Sequence, residues 1–207
     1  MKTADDLAAN VSRETLDRLR AFEALLIKWS PKINLVAPGE ISRLWERHIL
    51  DSVQLFSHAR PDFQTWIDMG SGGGFPGIVC AILATETNRD QGFTLIESDK
   101  RKSVFLGEAV RNLSLKATIR PIRIETYHGE KADIVSARAL ASLDRLLELA
   151  HPMMDESTQL LFPKGKRVES ELTAARRSWN MSVERIPSLT DPDGVILKLT
   201  GACPRNE

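Results

Sequence analysis

The segment TWIDMGSGGGFPGIVCAILA, residues 65–84, constrains the fold more than any other stretch of the sequence. Its first five residues have the pattern of a buried strand, and its last eight have that of an apolar helix. Between them, five glycines fall within eight residues, at positions 70, 72, 73, 74 and 77. Glycine allows a backbone to turn sharply and a ligand to approach it closely. The segment therefore predicts the first unit of an α/β fold, with a ligand at the turn.

Strand and helix patterns alternate from this segment to the C-terminus. The predicted strands are residues 65–69, 93–98, 117–125, 132–137 and 158–165, and the predicted helices are residues 77–84, 101–113, 142–154 and 168–179. Two further strands, within 182–188 and 194–200, are joined by too short a turn for a helical crossover. The pattern predicts a seven-stranded, mostly parallel sheet with helices on both faces and a C-terminal antiparallel hairpin.

The N-terminal part of the chain has a different pattern. Residues 12–29 predict an amphipathic helix that starts at Ser12 and is stopped by Pro31, and residues 41–56 predict a second helix. Pro61 marks a boundary. We therefore expect a helical cap over residues 1–62 and a ligand-binding core over residues 63–207.

Charge and cysteine content restrict the possible functions. The formal net charge is zero, so any nucleic-acid-binding surface must be a local patch. Cys80 and Cys203 are far apart and outside any CxxC pattern, which disfavours a disulfide framework or a metal site. The chain has no apolar run of the roughly 20 residues that a membrane span needs, and its first ten residues do not resemble a signal peptide. We expect a cytoplasmic protein.

Two ligand classes remain open for the glycine turn once a P-loop is excluded, because Pro76-Gly77-Ile78 stands where a P-loop needs Gly-Lys-Ser/Thr. Gly72, Gly74 and Gly77 satisfy the dinucleotide spacing G-x-G-x-x-G, and Glu97 follows at the distance of a ribose-binding acid. This interpretation predicts an NAD-dependent dehydrogenase. A tight structural turn without a ligand is a third possibility.

The other ligand class is S-adenosylmethionine. Asp68, Gly70, Gly72 and Gly74 form the pattern D-x-G-x-G-x-G. An acid at the end of the first strand suits a ligand with a cationic end, and this ligand carries an ammonium and a sulfonium but no pyrophosphate. Glu97 would then bind the ribose hydroxyls.

Several motifs along the chain resemble the family of small-subunit ribosomal RNA guanine-N7 methyltransferases, also called glucose-inhibited division protein B. The motifs are KINLVA at 32–37, RHILDS at 47–52, DMGSGGGFPG at 68–77, SDKRKSVFL at 98–106, RIE at 123–125, SARALASL at 136–143 and PKG at 163–165. Glycine turns occur in many methyltransferases, but RHILDS, GFPG and RALA in this order are much more specific. The chain departs from the family at Ala137, where a serine is frequent, and Ser136 stands one place earlier.

The resemblance implies a class I, Rossmann-like methyltransferase fold with an N-terminal helical cap. It implies methyl transfer from S-adenosylmethionine to the N7 of one guanine in the decoding-region loop of 16S RNA. The substrate would be the small ribosomal subunit or an assembly intermediate of it, in the bacterial cytoplasm, and we expect a monomer. The cofactor contacts that it implies are Gly70, Phe75, Ile124, Glu125 and Arg138.

The expected chemistry needs no general base, because guanine N7 has a free lone pair and no proton to lose. It also needs no cysteine nucleophile; we expect Cys80 to be buried in a helix and Cys203 to lie in a terminal tail. The candidate substrate-side residues are His48, Arg138 and Lys164. We expect an ion pair between Arg47 and Asp51, four residues apart on one helix. The predicted RNA-facing patch comprises Arg101, Lys102, Lys164, Lys166 and Arg167. A non-enzymatic RNA-binding module that retains the pocket is a further alternative.

Overall fold

A seven-stranded sheet forms the centre of the computed structural model, which describes residues 11–87 and 90–205. The strands are β1 (Thr65–Met69), β2 (Gly92–Ile96), β3 (Ala117–Arg120), β4 (Ile134–Ala137), β5 (Gln159–Lys164), β6 (Trp179–Pro187) and β7 (Val195–Pro204). Their order is β3-β2-β1-β4-β5-β7-β6, with the first five parallel and β7 antiparallel to both neighbours. The predicted parallel sheet with a C-terminal antiparallel hairpin is confirmed.

Helices cover both faces of this sheet. They are α1 (Arg13–Ile33), α2 (Leu50–Phe56), α3 (Gly77–Ala84), α4 (Lys100–Asn112), α5 (Leu143–Ala150) and α6 (Val168–Ala175). Neighbouring strand residues point to opposite faces, as the period of a strand requires. Trp66 belongs to the apolar cluster under α1, α3 and α4, whereas Ile67 belongs to the cluster under α5 and α6.

The N-terminal cap differs from the prediction at two places. The stop at Pro31 is wrong, because α1 continues to Ile33 and ends at Asn34, which has a left-handed φ of 50° and donates its N–H to the Ser30 carbonyl. A proline in the last turn removes only one backbone hydrogen bond. The single helix predicted over 41–56 is also wrong, because a 3-10 turn (Pro38–Arg43) and a π-turn (Trp45–Ile49) precede α2. The boundary at residue 62 stays a prediction.

Three predicted elements in the core end early. The helix predicted over 168–179 ends at Ala175, and Trp179 already belongs to β6. The strand predicted over 117–125 stops at Arg120, since Pro121 cannot donate to a strand ladder, and a 3-10 turn (Ile124–Thr126) follows. The helix predicted over 142–154 gives way to a 3-10 turn at His151-Pro152. Cys203 lies in β7 and is exposed, so its assignment to a terminal tail was wrong.

Candidate active site

The glycine turn leaves the carboxyl end of β1 and enters α3. Gly70, Gly72 and Gly74 have φ values of +66°, +54° and +91°, which residues with a Cβ rarely adopt. The turn is fixed to the next strand, because Gly70 and Ser71 both donate their N–H to the Ile96 carbonyl at the end of β2, at 2.9 and 3.1 Å. The turn therefore lies at the edge of the sheet where open α/β folds bind ligands.

The glycines of the turn do not all have the same surroundings. A Cβ on Gly77 would lie 2.7 Å from Asp68 Oδ2, and one on Gly74 would lie 2.7 Å from the Ile78 side chain. A Cβ on Gly73 would lie 3.0 Å from the Leu35 carbonyl of the cap. Gly72 is different, since the nearest atom to its Cβ would be the Gly70 carbonyl at 3.8 Å. A Cβ on Gly70 would lie 2.9 Å from the Leu140 side chain. Four of the five glycines thus have close neighbours, and Gly72 borders open space.

Asp68 holds the turn in place. Its Oδ2 accepts the N–H of Gly77 at 3.2 Å, and its Oδ1 accepts the hydroxyl of Ser136 in β4 at 2.7 Å. Ser136 Oγ in turn accepts the indole N–H of Trp66 at 2.8 Å. Burial raises the pKa of Asp68 to about 6, and the hydrogen bonds from Ser136 and Gly77 oppose this shift. The hydroxyl whose role the sequence left in doubt therefore binds this carboxylate, and cofactor contact by Asp68 stays a prediction.

Glu97 lies across the turn from Gly72. Its two oxygens accept the backbone N–H groups of Gly72 at 2.8 Å and Asp99 at 2.7 Å, and the residue is buried. A carboxylate oxygen has two acceptor sites, so each oxygen can still accept one more hydrogen bond. A fixed carboxylate beside an open glycine fits a ribose with two hydroxyls.

The two candidate adenine contacts follow β3 on the same edge of the sheet. Ile124 and Glu125 open the short 3-10 turn after Arg123. Ile124 is half-buried and packs against the apolar cluster that includes Ile96. Glu125 is exposed and pairs with Arg145 at 3.1 Å. Their contact with a cofactor stays a prediction.

Phe75 connects the glycine turn to the cap. Its ring packs against Phe22 of α1, with ring centroids 5.5 Å apart, and stacks on His48 at 5.0 Å and 28°. The guanidinium carbon of Arg138 lies 5.0 Å from the centre of the same ring, within cation–π range. Phe75 therefore joins the turn to two of the candidate substrate-side residues.

A cavity of about 640 Å³ is lined by His48 and Arg138, which both contact the Phe75 ring. Its walls come from the cap, from the loops that follow β4 and β5, and from the β6–β7 turn. Its charged lining comprises four basic residues (Arg47, Arg138, Lys164, Arg167) and four acids (Glu40, Asp51, Glu171, Asp191), together with His48. The volume lies within the range of small-molecule sites. We call this cavity the cap pocket.

Arg138 is held in the cap pocket by two polar contacts. It donates to the Arg47 carbonyl at 3.3 Å and lies 3.6 Å from Asp51 Oδ2. Burial lowers the pKa of Arg138, and Asp51 and Asp68 oppose this shift. The ion pair predicted between Arg47 and Asp51 is wrong: Asp51 pairs with Arg138 instead, and Arg47 faces Asp191 at 3.9 Å. The helical spacing did not decide the pairing, because the π-turn before α2 and the approach of β4 reposition both side chains.

Lys164 lines the cap pocket, but its amine is already engaged. Nζ donates to the Ala141 carbonyl at 2.7 Å and lies 2.7 Å from Glu171 Oε2. Arg167 lines the same pocket, whereas Lys166 pairs with Asp193 at 3.1 Å. Arg101 and Lys102 begin α4 after β2, and β1 and β4 separate β2 from β5. A single continuous RNA-facing patch stays a prediction.

Sequence reasoning missed two residues of this region. Glu40 Oε2 lies 2.9 Å from His48 Nε2, and Gln54 bonds to Asp51 and to the β6–β7 turn. The motif RHILDS indicated this part of the site, but no spacing in the sequence indicated the contacts of Glu40 and Gln54. Gln54 bonds to Ser188, which is far away in the sequence.

Comparisons with known proteins identify the family. The family described as GidB, rRNA small subunit methyltransferase G, matches residues 15–197. The chain belongs to this family. A curated relative named ribosomal RNA small subunit methyltransferase G, from Cereibacter sphaeroides (strain ATCC 17029), is 50% identical over 190 residues, which cover 92% of each chain. Another of the same name, from Ruegeria sp. (strain TM1040), is 48% identical and covers 95% of each chain.

Solved structures confirm the class I methyltransferase fold. A SAM-dependent methyltransferase from Aquifex aeolicus superposes with a TM-score of 0.59 at 14% identity, covering 80% of this chain and 99% of that one. A ribosomal protein L11 methylase from Lactobacillus delbrueckii gives a TM-score of 0.56 at 15% identity, covering 72% and 76%. At these identities the likeness concerns the fold alone.

Residues 11–87 and 90–205 contain neither a membrane-spanning helix nor a cluster of metal-ligating side chains. No helix in these ranges combines the length and apolarity needed to span a bilayer. No group of three or more metal-ligating side chains converges within them.

Proposed function

We propose that the protein transfers a methyl group from S-adenosylmethionine to the N7 of a guanine in the 16S RNA of the small ribosomal subunit. Membership of the GidB family supports ribosomal RNA methylation. The observation that carries the proposal is the junction at Phe75. There the glycine turn, which has the features of a cofactor site, contacts His48 and Arg138. These two residues line the cap pocket, which is large enough for a nucleobase.

The residues of the turn fit S-adenosylmethionine. Gly70 and Gly72 would lie along its methionine part, with Phe75 beside them, and Glu97 would accept the ribose hydroxyls. Ile124 and Glu125 would flank the adenine. When bound, the cofactor supplies an electrophilic methyl group on a cationic sulfur. Asp68 would act by holding the turn, since it is only 1% exposed and its two oxygens accept hydrogen bonds from Gly77 and Ser136.

The cap pocket requires no proton acceptor for this reaction. Guanine N7 attacks through a lone pair, so the protein has to orient the base and exclude water. Orientation of this kind can supply roughly 7–11 kcal/mol of a barrier. Cys80 is buried and its burial raises the pKa of its thiol, so it is unsuited to a thiolate mechanism. Arg138, His48 and Lys164 would shape the side of the pocket that receives the base.

The substrate would be the small subunit or an assembly intermediate of it, met in the bacterial cytoplasm by a monomer. Arg167 at the mouth of the pocket would contact phosphate, with Lys166 next to it in the chain. Phosphate contacts of this kind position a nucleic acid without reading its sequence.

Calorimetric titration with S-adenosylmethionine, and with NAD in parallel, tests the cofactor. We expect S-adenosylmethionine alone to bind; binding of NAD alone would overturn the proposal. Methyl-labelled cofactor with undermethylated small subunits then tests the transfer. Label in the RNA supports the proposal, whereas binding of RNA without transfer in any assembly state would indicate a non-enzymatic module.

A further inference from the structure

The four carboxylates that line the cap pocket differ in the hydrogen bonds and ion pairs that they form within the protein. Asp51 accepts from Gln54 and Thr190 through Oδ1 and faces Arg138 through Oδ2. Glu171 lies 2.7 Å from the Lys164 ammonium, and its side chain is only 16% exposed. Asp191 caps its own turn through the N–H of Asp193 and also faces Arg47. Each of these three carboxylates is thus compensated by a cation.

Glu40 is the exception. Its partner is His48, whose Nε2 lies 2.9 Å from Glu40 Oε2. Burial, followed by the charge of Arg138, lowers the pKa of His48, so this imidazole is neutral near pH 7. In the part of the chain that the structure describes, no hydrogen bond reaches Oε1 of Glu40. The side chain is 40% exposed and lines the pocket. Glu40 therefore offers a charged acceptor that the protein fixes at one oxygen and leaves open at the other.

Arg138 supplies a donor in the lining of the same pocket. Glu40 raises the pKa of Arg138 through its charge, yet the two side chains form no ion pair. Both are tied to the same ring, because Arg138 lies over Phe75 and His48, the partner of Glu40, stacks on it. The guanidinium and the carboxylate thus both line the cap pocket, and each is linked to the Phe75 ring, Arg138 directly and Glu40 through His48.

We propose that Glu40 and Arg138 read the Watson–Crick edge of the target guanine, an inference that rests on the proposed function. That edge presents the O6 acceptor next to the N1–H and N2–H donors. Arg138 would donate to O6, and Glu40 would accept from N1–H and N2–H. Adenine presents an amino donor and a bare N1 at the corresponding positions, so it would face both side chains with the wrong polarity. Glu40 thereby becomes the specificity-determining residue.

The same contact would favour the reaction. Methylation at N7 leaves a positive charge on the base, which makes N1–H a stronger donor. A carboxylate at N1–H is therefore bound more tightly in the transition state than in the ground state, which is the condition for lowering a barrier. We expect Glu40 to affect kcat as well as KM.

Glu40→Gln keeps an oxygen that can accept from His48 but removes the charge and one acceptor site. With undermethylated small subunits we expect kcat/KM to fall roughly 10- to 100-fold, as for loss of a hydrogen bond to a charged group. The affinity for S-adenosylmethionine should be unchanged. Glu46→Gln is the matched control, because Glu46 is on the same segment, outside the pocket lining, and forms only an exposed pair with Arg43 at 3.5 Å. It should behave as wild type.

A second measurement uses the wild-type protein, so it does not depend on a variant that folds. Small subunits reconstituted with inosine at the target lack the N2 amino group, and we expect a roughly 3- to 10-fold lower kcat/KM for them. In Glu40→Gln this loss should largely disappear, because the amino group has lost its acceptor. A purely structural role for Glu40 would lower activity equally on both substrates.

The outcomes separate the two proposals. If the wild-type protein fails to methylate guanine at all, the proposed function fails. If it methylates guanine and Glu40→Gln matches wild type, or if the inosine penalty is the same in both proteins, the Glu40 inference is wrong and the function stands. A weakened affinity of Glu40→Gln for S-adenosylmethionine would also overturn the inference, because it would assign Glu40 to the cofactor.

Discussion

Asp68 connects three elements through one buried side chain. It lies in β1 and receives hydrogen bonds from Ser136 of β4 and from Gly77, the first residue of α3. The sequence indicated an acid suited to a cationic ligand, but the structure uses both of its oxygens internally. Burial makes this carboxyl group costly to ionise, and it therefore raises the pKa of Asp68.

The burial of Asp68 should make the free energy of unfolding depend on pH. The pKa of Asp68 is about 6 in the folded protein, against 3.8 for an ordinary Asp. Between these values the folded state binds more protons than the unfolded state, so the free energy of unfolding falls as pH rises. The difference between the two pKa values corresponds to about 3 kcal/mol in the free energy of unfolding. This contribution is fully present below about pH 4 and is lost by about pH 7.

Denaturant unfolding of wild type and Asp68→Asn between pH 4 and pH 7 isolates this effect. The free energy of unfolding of wild type, taken relative to that of the variant, should fall by about 3 kcal/mol across this range. A difference between the two proteins that does not change with pH would show that Asp68 has an ordinary pKa.

In the glycine turn, some glycines are needed for packing and another leaves room for a ligand. Gly74 lies against Phe22 and Ile78, whereas Gly72 borders open space. In the sequence, both glycines belong to one motif, and the motif could not separate their roles. The atoms that lie close to Gly74 come from Phe22 in the cap and Ile78 in α3, so they depend on the folded structure.

Alanine at these two positions should therefore act on different properties. In Gly72→Ala the new methyl group has only an ordinary contact, with the Gly70 carbonyl at 3.8 Å, so the positive φ alone costs about 1–2 kcal/mol of stability. The methyl group should weaken S-adenosylmethionine binding by roughly tenfold or more. Gly74→Ala adds a clash to the positive φ, and we expect a loss of about 3 kcal/mol or more. Thermal unfolding and calorimetric titration measure the two quantities, and equal losses of stability would contradict this assignment.

At the scale of the whole molecule, the cap and the C-terminal hairpin meet through Gln54. Its amide nitrogen lies 2.8 Å from Asp51 Oδ1 and 3.0 Å from Ser188 Oγ, and its carbonyl accepts the N–H of Leu189 at 2.8 Å. Gln54 is buried, so these bonds are shielded from water. They fix the β6–β7 turn as a wall of the cap pocket.

Removal of this amide should loosen the wall. Gln54→Ala leaves the Leu189 N–H without its acceptor and removes one of the donors to Asp51, which keeps Thr190 and Arg138 as partners. We expect a loss of about 2–4 kcal/mol in the free energy of unfolding. Gln64→Ala is the control, because Gln64 is exposed and its side chain makes no hydrogen bond in the described structure; it should stay within about 0.5 kcal/mol. Similar stabilities for the two variants would exclude Gln54 as the link.

Local patterns predicted the fold well and the cap pocket only in part. The alternation of strand and helix after residue 65 determined the sheet, because each unit is encoded within its own segment. The Asp51–Arg138 pair and the role of Gln54 could not be predicted in this way, since their partners come from distant segments and depend on how the cap docks on the core. His48 and Arg138 were found only because the family motifs contain them.

The most direct test of the proposed function identifies the modified atom. Undermethylated small subunits, assembly intermediates and naked 16S RNA would be incubated with the protein and methyl-labelled S-adenosylmethionine, and the RNA digested to nucleosides for chromatography and mass spectrometry. We predict a single labelled product, 7-methylguanosine, from at least one of the three substrates. Label at another atom or base, or no label in any of the three RNAs, would contradict the account.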